Sequence, residues 1–141
     1  MTLPAWIAPL ALAVSLTTLG AAAQTRPVPP PLVAHAAEDF RQHTQPLPSQ
    51  FRRVHQGLFT APDGRTRTVL CGEFKAGERS PWTNFATVQT DPYEQWLGDG
   101  AQGFCRSPGF KPAGPDWSAE LLQRIKSPAA AEPGVSSAPA R

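Results

Sequence analysis

The tetrapeptide Ala61-Pro62-Asp63-Gly64 restricts the fold of this chain more than any other feature. Proline presets one turn position and glycine takes the left-handed one, so the backbone reverses here. The segments on either side, Phe51 to Thr60 and Thr66 to Phe74 (TRTVLCGEF), are rich in β-branched and aromatic residues. A reversal between two such runs predicts a β-hairpin. Alternation in the second run puts Val69 and Cys71 on one face, Leu70 and Phe74 on the other. With both faces apolar, this strand is expected at the centre of a sheet that a helix covers on one side.

Helical patterns flank the hairpin. In Val33 to His43, Val33, Ala36, Ala37 and Phe40 recur at i, i+3, i+4 and i+7, an apolar stripe suited to packing on a sheet. Pro46 and Pro48 stop that helix. Further on, Asp116 is a good N-cap and Trp117, Leu121, Leu122 and Ile125 form a second stripe. Arg124 and Lys126 sit at the negative end of that helix dipole. Trp82 to Thr90 reads as a third strand, with Trp82, Asn84, Ala86 and Val88 opposite Thr83, Phe85 and Thr87. Tyr93 to Leu97 reads as a further strand or a short helical turn. Gly98 to Gly100 reads as a loop, and Gly103 to Arg106 as a last short strand carrying Cys105. The expected fold is α+β: an N-terminal helix, an antiparallel sheet of three to five strands and a C-terminal helix.

The ends of the chain differ in kind. Leu3 to Leu19 is almost wholly apolar and ends at Gly20, before Ala21-Ala22-Ala23. That is the layout of a secretory signal peptide, so residues 1–23 are expected to be removed after export to the periplasm or beyond. No Lys or Arg precedes the run, and its length approaches the ~17–25 residues of a spanning helix. An uncleaved anchor is therefore the rival reading, and a membrane is expected as a partner only in that case. Gln24 to Pro31, with four prolines, reads as an extended linker. Ser127 to Arg141, mostly Ala, Pro, Ser and Gly, has too little apolar surface to offset its ordering entropy and reads as a disordered tail. Residues 32–126 remain as one small domain.

An exported chain with two cysteines, Cys71 and Cys105, most simply joins them in one disulfide. Closing a loop of that length should stabilise the fold by roughly 3–4 kcal/mol, a large share of the ~5–15 kcal/mol total of a small domain. A metal site needs more soft ligands, and His35, His43 and His55 show no tight spacing with either cysteine. A redox pair would lie closer in sequence. No metal and no cofactor are expected.

The net charge of +2 is too weak to argue for nucleic acid. Arg52, Arg53, Arg65 and Arg67 surround the hairpin, either as solvated strand residues or as a patch for an acidic partner. Ser49, Ser80, Ser107 and Ser118 lack a nucleophile elbow, and no phosphate-binding loop occurs. Glu73 is the one carboxylate with catalytic interest. Buried, it would have a raised pKa and could exchange protons with His55 as its partner. Alternatively it pairs with a cross-strand arginine, Arg53 or Arg67. Gly72 is expected to admit a close neighbour, Trp82 or Phe85. Most aromatic residues should fill the core, and an exposed Trp82 or Trp96 beside the basic hairpin would mark a ligand surface.

Three segments carry a resemblance: Pro48-Ser49-Gln50-Phe51-Arg52-Arg53-Val54, Val69-Leu70-Cys71-Gly72-Glu73-Phe74-Lys75-Ala76 and Trp82-Thr83-Asn84-Phe85. Together with a late cysteine, they resemble a group of small exported bacterial proteins and lipoproteins with a Val-Cys-Gly-Glu strand. In that group Val-Asn-Ala stands where this chain has Phe74-Lys75-Ala76, and Tyr stands where it has Trp82. The resemblance implies export and the disulfide, and no activity. The leading expectation is a non-enzymatic module that binds an envelope protein or cell-wall component, with Glu73, Arg52, Arg53, Trp82 and Trp96 as the binding surface. The rivals are an inhibitor of a secreted protease or lysozyme, inserting the Glu78-to-Pro81 loop, and a small hydrolase using Glu73 and His55.

Overall fold

The computed structural model describes residues 25–127. The signal segment expected over residues 1–23, and all but Ser127 of the tail expected over residues 127–141, lie outside the described residues. Eight elements follow in order: α1 (Pro31–His43), β1 (Gln50–Thr60), β2 (Thr66–Lys75), β3 (Thr83–Gln89), β4 (Tyr93–Leu97), α2 (Asp99–Cys105), β5 (Phe110–Ala113) and α3 (Ser118–Lys126). All strand pairs are antiparallel, in the order β4-β3-β2-β1-β5, and the fold is α+β.

Strand β2 lies at the centre, as its two apolar faces require. On one face Leu70 and Phe74 join Phe51, Val54 and Phe85 under α1 and α3. The α1 stripe of Val33, Ala36, Ala37 and Phe40 is buried there, with Leu32 added. Pro31 holds the first helical position, where a missing N–H leaves no bond unmade, so α1 begins two residues before Val33. Phe40 stands edge-on to Phe51, Phe74 and Phe85 at 4.9–5.3 Å between ring centres, the geometry that aromatic quadrupoles favour. On the other face Val69, Cys71, Ala86 and Val88 pack against Ala101 of α2.

Two expectations fail after β4. Cys105 was expected in a short strand at Gly103 to Arg106, with a loop at Gly98 to Gly100. Instead it ends α2. Ala101, Phe104 and Cys105 fall at i, i+3 and i+4, a helical stripe that Gly100 and Gly103 disguise in the sequence. Ala101 is fully buried on the sheet, and Phe104 packs edge-on to Phe59. The second failure is β5, an unforeseen strand at Phe110–Ala113. Pro112 argues against a strand, yet β5 is an edge strand, where a missing N–H is tolerated. The Cys71–Cys105 disulfide joins the central strand to the end of α2, with its Cα atoms 5.6 Å apart.

Candidate binding site on the disulfide face

The site is built by a break in β1. Arg52 lies opposite Glu73 and His55 opposite Cys71, so Arg53 and Val54 together face Gly72. This is a β-bulge, and it reverses the alternation that follows. Phe51 and Val54, three apart, both reach the helix-covered core. Arg53 takes the left-handed backbone conformation, φ 54°, which costs an ordinary residue of order 1–3 kcal/mol. The lead-in to α3 secures it. The Val54 N–H donates to Asp116 Oδ1 and Ser118 Oγ, each at 3.3 Å, and the Val54 carbonyl accepts the Trp117 N–H at 2.7 Å.

Gly72 completes the bulge. A Cβ there would lie 2.8 Å from Val54 Cγ2 and 2.6 Å from the Phe85 ring. Of the two neighbours expected for Gly72, Phe85 is the one it admits. Asp116, expected as an N-cap, sits one residue before the N-cap position held by Trp117. Its carboxylate still accepts the Ser118 N–H at 2.8 Å. Burial pushes Asp116 up, but hydrogen bonds from Ser118, the nearby His55 and the Val54 N–H outweigh this and hold its pKa below the ordinary value.

α2 covers only part of its face of the sheet. Beside it lies a hollow of about 300 Å³, lined by Arg53, His55, Gly72, Glu73, Asn84, Arg106 and the disulfide. Glu73 is the only carboxylate lining it, and its side chain is 13 % exposed. Arg52 grips Glu73 with two hydrogen bonds, Nε to Oε2 at 2.9 Å and Nη2 to Oε1 at 3.2 Å. Arg53 Nη1 stands 3.7 Å from Oε2. The Arg52 hydrogen bond, opposed by burial and reinforced by the charges of Arg52, Arg53 and Arg106, lowers the Glu73 pKa. The raised pKa considered for a buried Glu73 is therefore not found.

Of the two arginines expected as partners, Arg53 is near and Arg67 is not, because Arg67 pairs with Phe59 at the far end of the hairpin. Arg65 is likewise remote, bound to Asp63 in the turn at 2.6 Å. His55 shares the hollow, but its Nε2 lies 3.8 Å from Asp116 Oδ2.

The tryptophans separate. Trp82 lies just before β3, with the Arg52 guanidinium 4.1 Å and Lys75 Nζ 5.2 Å from its ring centre. It flanks the Glu73 ion pair from outside the hollow. Trp96, 42 % exposed, lies on β4 against Phe104 of α2 and outside the hollow. The structure thus joins Arg52, Arg53, Glu73 and Trp82 and leaves Trp96 apart. Arg106 and Asn84 were not foreseen, and Arg106 enters only because Cys105 ends a helix pinned to β2. Among the described residues no three His, Cys, Asp or Glu side chains converge as a metal site.

No family model, no curated protein and no solved structure matches the chain.

Proposed function

We propose that the protein is an exported, non-enzymatic binding module. The open part of its disulfide face holds an acidic group of an envelope protein or cell-wall component. The observation that carries this reading is the charge imbalance of the hollow, where Arg53 and Arg106 stand in the lining with one carboxylate, Glu73. Arg52 is engaged with both Glu73 oxygens. Arg53 projects from the bulge with its side chain 76 % exposed. A guanidinium in that position can take a second carboxylate or another oxyanion in fork geometry.

Export is supported by the apolar leader ending in Ala21-Ala22-Ala23 and by a disulfide of the kind that persists in oxidising compartments. No helix among the described residues is long and apolar enough to cross a membrane. The resemblance to small exported bacterial proteins points the same way. Hydrolysis finds less support. A carboxylate with a lowered pKa is ionised at neutral pH, so it has no proton to donate and is a weak base.

The test is co-sedimentation with purified cell-wall sacculi, alongside affinity capture from envelope extract, comparing the protein with an Arg53→Ser/Arg106→Ser variant. Retention by either material should fall with rising salt and be lost in the variant. Equal retention of both proteins would refute the reading.

A further inference from the structure

The two edges of the sheet are finished differently. Strand β5 ends one side and carries Lys111 and Pro112, residue types that discourage the addition of a further strand. Strand β4 ends the other side with Tyr93-Glu94-Gln95-Trp96-Leu97, which holds neither Lys nor Pro. The Gly98 N–H donates to the Asn84 carbonyl at 2.8 Å. In the same register Trp96 opposes Ala86 and Glu94 opposes Val88. Hydrogen-bonded pairs alternate along an antiparallel ladder, so the backbone groups of Glu94 and Trp96 are the ones that point to β3. The N–H and C=O groups of Tyr93, Gln95 and Leu97 point away from the sheet, and no described strand pairs with them.

The side chains along this row are open and acidic. Trp96 and Leu97, 42 % and 44 % exposed, are adjacent large apolar residues at the edge. Glu94 is exposed on the strand, and the exposed Asp91 and Asp99 flank it. From Trp82 to Cys105 the chain carries these three carboxylates and no Lys or Arg, although its net charge is +2. This charge selects the occupant. Two copies of β4 brought edge to edge would set their carboxylates against each other, and like charges across a strand pair are destabilising. A basic strand gains from the same carboxylates.

We propose that β4 takes an extended basic segment of another protein as an added antiparallel strand. The backbone of that segment bonds to Tyr93, Gln95 and Leu97. An apolar side chain lies opposite Trp96, a basic one lies opposite Glu94, and further basic residues at either end reach Asp91 and Asp99. This surface is separate from the acidic-group site on the disulfide face and has the opposite charge.

The probe is the end-blocked peptide Lys-Ser-Thr-Val-Thr-Lys-Thr-Ser-Lys, whose Val falls opposite Trp96 and whose inner Lys falls opposite Glu94. A second peptide, N-methylated on the Thr between that Val and that Lys, keeps every side chain and charge and loses the N–H aimed at the Gln95 carbonyl. A third has Glu in place of each Lys. Binding is read by fluorescence anisotropy of labelled peptide, and amide hydrogen exchange by NMR. The first peptide should bind saturably, the N-methylated one at least roughly tenfold more weakly, and the Glu peptide not at all. With the first peptide bound, exchange should slow at Tyr93, Gln95 and Leu97 and change little at Glu94 and Trp96, which are already bonded to β3. Glu94→Lys should weaken binding roughly tenfold. Glu94 is exposed, so the melting temperature of that variant should stay near that of the parent. Arg53→Ser/Arg106→Ser should bind the peptide as the parent does, whether or not the acidic-group site proves real. No saturable binding, equal binding of the plain and N-methylated peptides, or unchanged exchange at Tyr93, Gln95 and Leu97 would each overturn the proposal. Slowing of those amides with protein concentration alone would overturn it too, because a second copy would then hold the edge.

Discussion

Gly72→Ala puts the packing around the bulge to a quantitative test. The added Cβ would lie 2.6 and 2.9 Å from two atoms of the Phe85 ring and 2.8 Å from Val54 Cγ2. Carbon atoms settle at about 3.5–4.0 Å, so each neighbour would have to retreat by roughly 1 Å. Neither has room, since Phe85 and Val54 are both fully buried and Phe85 is ringed by Phe40, Phe51 and Phe74. Overpacking of this kind costs about 1–3 kcal/mol. Against it stands the lower entropy of the unfolded alanine chain, worth about 0.4–1 kcal/mol to the variant. The expected net loss is up to about 2.6 kcal/mol. At about 4–8 °C per kcal/mol for a domain of this size, the melting temperature should fall by up to about 20 °C. Urea unfolding should show a lower midpoint at an unchanged slope. Phe85→Leu in the same background should recover part of the loss, because the clash is with that ring. A Gly72→Ala protein at least as stable as the parent would show that Phe85 and Val54 do have room to move.

Other consequences can be measured on the same protein. Replacing Cys71 and Cys105 together by serine should cost roughly 3–4 kcal/mol in denaturant unfolding, and an unchanged midpoint would show that the cross-link does not bear on stability. Glu73 has a lowered pKa in the fold, so its stabilisation is complete above the ordinary carboxylate range and is lost as pH falls through the lowered value. Glu73→Gln should therefore flatten the acid side of the stability curve and leave its shape at neutral pH unaltered. Persistence of the full acid slope in Glu73→Gln would assign it to other carboxylates. Asp116→Ala removes an acceptor from the Val54 and Ser118 N–H groups. It should cost about 1 kcal/mol and speed hydrogen exchange at Val54, which amide exchange read by NMR would detect.

The hairpin, the central place of β2 and both long helices were legible because each rests on a local rule with few competitors. Pro62 and Gly64 impose a reversal, and the stripes from Val33 to Phe40 and Trp117 to Ile125 can be buried only along one helical face. The later elements were harder to read because local propensity and tertiary packing disagree there. Gly100 and Gly103 weaken a helix that Ala101 and the disulfide secure, and Pro112 weakens a strand that survives because it lies at an edge. The bulge did leave a trace: Phe51 and Val54, three residues apart, cannot share a face of an unbroken strand. That irregularity would have set Arg53, at the solvent-facing rim, apart from Arg52, in the Glu73 pair. Arg106 had no such trace, since its place depends on the helix that Cys105 closes.

Arg53 and Arg106 are the proposed contact surface for an acidic partner. The most direct measurement compares retention on sacculi and on envelope extract by the parent protein, the Arg53→Ser/Arg106→Ser variant and an Arg65→Ser/Arg67→Ser control of equal charge. Salt-sensitive retention is expected on at least one of these materials, lost in the first variant and kept in the control. Equal loss in both variants would reduce the interaction to net charge, and retention by the first variant would show that Arg53 and Arg106 do not make the contact.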